Sequence, residues 1–89
     1  MHFRKVTVNN SSGLHDIDAA RFVQLASGFS SQIQIHYQNM IINAKSLMGV
    51  LCMDLYPGTE IVLEAIGSDA VIALNKLAEF LMPEEGISF

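Results

Sequence analysis

A histidine, two aspartates and a serine are the residues of this chain whose types and positions could do chemistry. In Gly13-Leu14-His15-Asp16-Ile17-Asp18-Ala19-Ala20-Arg21-Phe22, His15 falls just ahead of a run with helical spacing. A helix start presents unpaired backbone N–H groups and the positive end of the peptide dipole, so it receives anions, phosphate especially. An imidazole held there can carry a phosphoryl group on a ring nitrogen, and Asp16 and Asp18 would repel that cargo. The same three side chains make a poor metal site, because adjacent residues rarely complete a coordination shell without donors from elsewhere. Ser46 stands directly before Leu47, Met48, Val50 and Leu51, where a hydroxyl caps a helix and where an added phosphate would suit the dipole. His2 and His36 read as surface residues, and the lone Cys52 as buried in that short helix or at its exit. With no glycine-rich phosphate loop and no zinc-ligand spacing in the sequence, neither a cofactor nor a metal is expected.

The elements that must hold these residues follow from periodicity. Phe3 to Val8 is rich in strand formers and runs into the polar loop Asn9-Asn10-Ser11-Ser12-Gly13, which delivers the chain to His15. Ala19, Ala20, Phe22, Val23 and Ala26 recur at three- and four-residue spacings, giving a helix from Asp16 with one buried stripe and a stop at Gly28. Ile33, Ile35 and Tyr37 alternate with Gln32, Gln34 and His36, and Met40 to Asn43 follows after two polar residues, which predicts a hairpin. After the helix capped by Ser46, the turn Tyr56-Pro57-Gly58-Thr59 leads into a strand from Glu60 to Ile66 with Ile61, Leu63 and Ala65 on one face. A last helix spans about Asp69 to Leu81, capped by Ser68 or Asp69, with Val71, Leu74, Ala78 and Leu81 on its buried side and its end before Pro83. The order is βαββαβα. An α+β fold with helices on one face of a sheet and the other face open accommodates it.

Composition narrows the setting. The 89 residues make one small domain, 1–89, large enough for a core without staples. Hydrophobic residues at 51% and charged residues at 16% describe a globule rather than a disordered segment. One cysteine excludes a disulfide framework and suits a reducing cytoplasm. The N-terminus reaches polar residues too soon for a signal peptide, and no apolar run is long enough to span a membrane, so a cytoplasmic protein is expected. With a net charge of −4 and only five Lys and Arg, the chain lacks the basic footprint of a nucleic-acid binder.

Two stretches, Gly13 to Val23 and Asn43-Ala44-Lys45-Ser46-Leu47-Met48-Gly49-Val50-Leu51, resemble HPr, the histidine-containing phosphocarrier of the bacterial sugar phosphotransferase system, over essentially the whole chain. The second stretch is the more specific, through its asparagine, lysine, serine and Met-Gly pair. The resemblance implies an open-faced β-sandwich of four antiparallel strands covered by three helices, in agreement with the order above. It implies a monomeric carrier rather than a turnover enzyme, in which His15 accepts a phosphoryl group from Enzyme I and passes it to Enzyme II components. It also implies an alternative: a regulatory adaptor phosphorylated at Ser46 by HPr kinase, which then binds a transcriptional repressor. Leu47, Met48 and Leu51 would then be a partly exposed docking cluster, with Arg21 and Lys45 as a thin basic patch beside it. From the residues alone, a Met-Leu cluster on a short helix would be core.

The departure lies inside the first motif. The family usually reads histidine, alanine, arginine, proline, where this chain has His15, Asp16, Ile17 and Asp18. Without the guanidinium, a charge-assisted hydrogen bond of about 1.5–3 kcal/mol is forfeited. Each added carboxylate near a phosphoryl group costs on the order of 1 kcal/mol in water-like surroundings. Together these lower the equilibrium phosphoryl load by roughly two to four orders of magnitude. Asp18 in place of proline is expected to offset part of this by freeing one more backbone N–H. Both aspartates also suit the first turn of a helix without any phosphate, contributing about 0.3–1 kcal/mol each.

Overall fold

The computed structural model describes residues 1–83 and bears out the expected order of elements. These are β1 (His2–Thr7), α1 (Asp16–Ser27), β2 (Gln32–Tyr37), β3 (Met40–Asn43), α2 (Leu47–Met53), β4 (Glu60–Ile66) and α3 (Ala70–Leu81). The strands form one antiparallel sheet in the order β1-β4-β2-β3. Strand alternation sends Val6, Ile33, Ile35, Ile61, Leu63 and Ala65 to the helix side, where all are buried. Gln32, Gln34 and His36 face the open side, and there His36 Nε2 lies 2.7 Å from Glu64 Oε1. His2 is exposed, as expected, and His36 is half-buried. Tyr37 pairs directly with Met40, so Gln38 and Asn39 make a two-residue turn with Gln38 at φ 54°, the positive φ that such hairpins demand. The result is an α+β open-faced β-sandwich with three helices over one sheet face. No helix of the described residues is long and apolar enough to cross a membrane.

Helix packing corrects three expectations. On α1, Ala19, Phe22 and Ala26 are buried, whereas Ala20 points to solvent. On α3 the buried arc consists of Ala70, Ala73, Leu74, Leu77, Ala78 and Leu81; Val71 lies off it, 52% exposed. Small residues at the start of α3 let it approach the sheet, and the successive 100° steps of the helix turn Val71 to the rim. Cys52 is exposed rather than buried, since α2 is two turns long and spends its inward positions on Val50 and Met53.

Asp69 occupies the N-cap position of α3 but its side chain caps nothing there. Its carboxylate accepts instead from the backbone amides of Ser30 and Ser31, at 2.9 and 3.0 Å, and from both serine hydroxyls. This clasp joins the α1–β2 corner to the β4–α3 corner. Gly67, at φ 150°, makes the approach feasible, because a Cβ there would run into Ser31.

Candidate functional site

His15 is delivered to the start of α1 by a loop that is fastened from inside. Buried Asn10 donates from Nδ2 to the Gly13 carbonyl at 2.8 Å and to Asp18 Oδ2 at 3.0 Å. Gly13 adopts φ 69° and lies against the backbone of Leu55 and Tyr56, while the Leu14 amide donates to the Leu55 carbonyl at 2.9 Å. The loop between β1 and α1 is thereby pinned to the connection between α2 and β4.

At that junction the His15 backbone takes extended angles as N-cap, and its carbonyl accepts from the amides of Asp18 and Ala19. The ring makes no capping bond to the helix amides. Nδ1 lies 2.9 Å from the Ser12 carbonyl, and Nε2 lies 2.7 Å from Asp54 Oδ1. Tyr56 covers one face, its ring centroid 4.4 Å away and tilted by 46°. The imidazole is neither free nor buried; its side chain is 23% exposed.

Both of its neighbours are acceptors, so the ring satisfies them together only as imidazolium, donating from each nitrogen. Accordingly the His15 pKa is raised above its usual 6.5, first by the Ser12 carbonyl and then by the hydrogen bond donated to Asp54; desolvation works against them, and the charges of Asp54 and Asp16 add lesser upward effects. A protonated ring has no lone pair to offer phosphorus, and nucleophilic attack waits on loss of one proton.

The two aspartates of the first motif do different work. Asp18 is half-buried and holds Asn10; its amide is already bonded to the His15 carbonyl, so the extra free N–H expected at this position is absent. Asp16 is exposed and takes φ 49°, a left-handed conformation that aspartate tolerates better than most residues. Ile17, at the usual place of arginine, is 62% exposed.

Ser46 caps α2, its Oγ accepting from the Gly49 amide at 3.1 Å. A Cβ on Gly49 would stand 2.6 Å from Ile42 Cγ2, so the glycine lets α2 lie close on β3. Leu47, Met48 and Leu51 are 41, 73 and 37% exposed. Leu47 and Leu51, one helical turn apart, share a side of α2 with Asp54 beyond them. Ser46 and Asp54 therefore cap the two ends of one helix about 10 Å long, and its second end is tied to His15. Arg21 is exposed, whereas Lys45 is half-buried and donates from Nζ to the Phe29 carbonyl at 2.7 Å, committing its charge to the end of α1. Among the described residues no cluster of three metal-ligating side chains occurs.

Asp54, Tyr56 and the Ser12 carbonyl escaped sequence reasoning. Asp54 is 39 positions from His15, and no spacing rule links an aspartate closing one helix to a histidine opening another.

Comparison with known proteins converges on one group. The family model PTS-HPr, described as the PTS HPr component phosphorylation site, matches residues 3–82. The HPr-like protein Crh of Bacillus subtilis is 40% identical over 81 residues, covering 91% of this chain and 95% of its own. The crystal structure of HPr-C-His from Thermoanaerobacter tengcongensis superposes with a TM-score of 0.89 at 36% identity and full coverage of both chains. A structure described as an HPr dimer from the same organism gives a TM-score of 0.74 at 37% identity, covering 97% of this chain and 99% of the other.

Proposed function

This chain belongs to the HPr family of phosphocarriers, and on that footing we propose that it accepts a phosphoryl group on His15 from Enzyme I and passes it to Enzyme II components, working from a restrained imidazole. The observation that supports this most is the ring itself. It stands at the start of α1, partly open to solvent, with a carboxylate on one nitrogen and the other nitrogen beside the backbone of its own loop.

In this reading the resting state is the imidazolium and the transfer-competent state is the neutral ring. A neutral ring nitrogen attacks the phosphorus of a phosphorylated donor, and the donor's bond to phosphorus breaks with its electrons left on the donor. Exposed Asp16 and Asp54 oppose the incoming dianion, and Ile17 supplies no compensating charge, so phosphoryl load is lower than in a member with the arginine. The proposal is written for one chain and holds equally if two associate, as in the similar Thermoanaerobacter dimer.

The test is incubation with Enzyme I and phosphoenolpyruvate, followed by intact mass measurement. The expected result is one acid-labile phosphate, absent from His15→Ala; no mass gain, while an authentic HPr in the same tube is labelled, overturns the carrier role.

A second reading, a Ser46-phosphorylated adaptor that binds a transcriptional repressor, is favoured by the exposed Leu47, Met48 and Leu51 next to that serine and by the likeness to HPr-like Crh. It requires HPr kinase to label the wild type and not Ser46→Ala, with repressor binding only after labelling.

A further inference from the structure

The charges at the phosphoryl site are carboxylates. Asp54, its side chain 61% exposed, touches the His15 ring, and the charge of exposed Asp16 also acts on it. The five Lys and Arg of the chain are placed elsewhere. Arg4 donates to Asn75 of α3 at 2.8 Å, and Lys5 lines a groove of the open sheet face with His36 and Tyr37. Lys45 is committed to the Phe29 carbonyl, and Lys76 lies on α3. Arg21 is exposed, but it stands more than a turn along α1 from the ring.

A transferring phosphoryl group brings nearly two further negative charges. While water surrounds the site, these charges are screened. Docking removes that screen. Leu47 and Leu51 are exposed on the side of α2 that leads to Asp54, and Tyr56, 58% exposed, covers one face of the ring. A partner seated on these side chains excludes water from the imidazole and from both carboxylates. A dianion beside two carboxylates would then be desolvated charge without a counter-ion, which is strongly unfavourable. The counter-charge has to arrive with the partner.

We infer that the protein donating phosphate to His15 meets this face with a cationic surface, an arginine or lysine that pairs with Asp16 and Asp54 and neutralises the phosphoryl oxygens in transit. This deepens the carrier reading and rests on it. A ring nitrogen forms the N–P bond while the donor's bond to phosphorus breaks, and the donor keeps that electron pair. The partner's cation takes no part in the covalent change; it balances the oxygens during transfer and the two carboxylates before and after it. Arginine fits best, because its planar fork can hold a carboxylate and a phosphoryl oxygen together. A second copy of this chain does not fit the same face, since it would bring its own Asp16 and Asp54 against these.

The test measures labelling of the full chain by phosphoenolpyruvate and the Enzyme I of the protein's own source, as kcat/KM and as phosphoryl load at equilibrium. Salt is varied from about 0.01 to 1 M, over which the screening length shrinks from about 30 to about 3 Å. The variants are Asp16→Asn and, as a control for net charge, Glu79→Gln, an exposed carboxylate on α3. Asp16 has φ 49°, which asparagine accepts, and retained amide spectra verify both folds. Wild-type kcat/KM is expected to fall about tenfold or more as salt rises. Asp16→Asn should lie several-fold below it at low salt through a raised KM, and meet it at high salt, while Glu79→Gln follows the wild type. The equilibrium load of Asp16→Asn should rise at the same time, because its neutral side chain no longer repels the bound phosphoryl group. That split separates recognition by the partner from repulsion of the cargo. A wild-type rate that is flat or climbs with salt overturns the inference and leaves the carrier role standing. So does an Asp16→Asn KM that is unchanged or lowered, or a Glu79→Gln protein that loses as much. A wild type that takes up no phosphate overturns the carrier role and the inference with it.

Discussion

Replacing Gly13 with alanine tests the coupling between the loop, the α2–β4 connection and the imidazole. At φ 69° an alanine sits in the left-handed region, which costs about 1–2 kcal/mol. Its Cβ would run into the Leu55 carbonyl oxygen and come within 3.0 Å of Tyr56 Cα and 3.1 Å of Pro57 Cδ. These are backbone and ring atoms that cannot swing aside. Moving them strains the bond from the Leu14 amide to the Leu55 carbonyl, and losing it costs a further ~0.5–1.5 kcal/mol net. The expected destabilisation is about 1.5–3.5 kcal/mol, read as a lowered urea midpoint with unchanged slope. The same displacement carries the Ser12 carbonyl away from Nδ1. Since that carbonyl is the first cause of the raised His15 pKa, the pKa should fall toward 6.5 in an NMR titration. Gly58→Ala is the control: φ is 97°, but a Cβ meets nothing within 4 Å, so only the conformational cost applies and His15 keeps its titration. A Gly13→Ala protein within about 1 kcal/mol of the wild type, or one with an unmoved His15 pKa, refutes the coupling.

Two further outcomes are expected. Ile17→Arg restores a guanidinium beside the ring and should raise the fraction of phosphorylated protein at equilibrium with Enzyme I and phosphoenolpyruvate by about ten- to a hundredfold; an unchanged fraction means that local charge does not limit transfer. Asp69 is held down to a pKa of about 2 from 3.8, chiefly by the Ser31 hydroxyl and then by the Ser30 amide. A depressed carboxyl contributes stability above its unfolded pKa and loses it as pH falls through the folded value. Asp69→Asn should therefore melt lower than the wild type at neutral pH, with the gap closing between about pH 4 and pH 2, as followed by thermal melts across that range.

The framework was legible wherever one face of an element is wet and the other dry. In Gln32–Tyr37 and Glu60–Ile66 the apolar residues alternate with polar ones, so the core-facing side of each strand follows from the residues alone, and the two-residue break at Gln38 and Asn39 settles the hairpin. Periodicity misled where a stripe is carried by small residues. Ala70 and Ala73, not Val71, face the sheet, because close approach favours the smaller side chains. The Ser46 cap was readable as a local motif, since donor and acceptor are three residues apart. The surroundings of His15 were not. They join two stretches distant in sequence, and only tertiary packing brings Asp54 and Tyr56 to the ring. Asp18 shows the converse: its position in the first turn was clear, but its partner, Asn10, was invisible until the loop closed.

The left-handed turn at Asp54 has an evolutionary side. Aspartate, asparagine and glycine are the residues that such a backbone most readily admits, and single-base changes convert an aspartate codon into either of the others. A lineage can thus gain or shed the tether on its imidazole in one mutational event while leaving the surrounding architecture untouched.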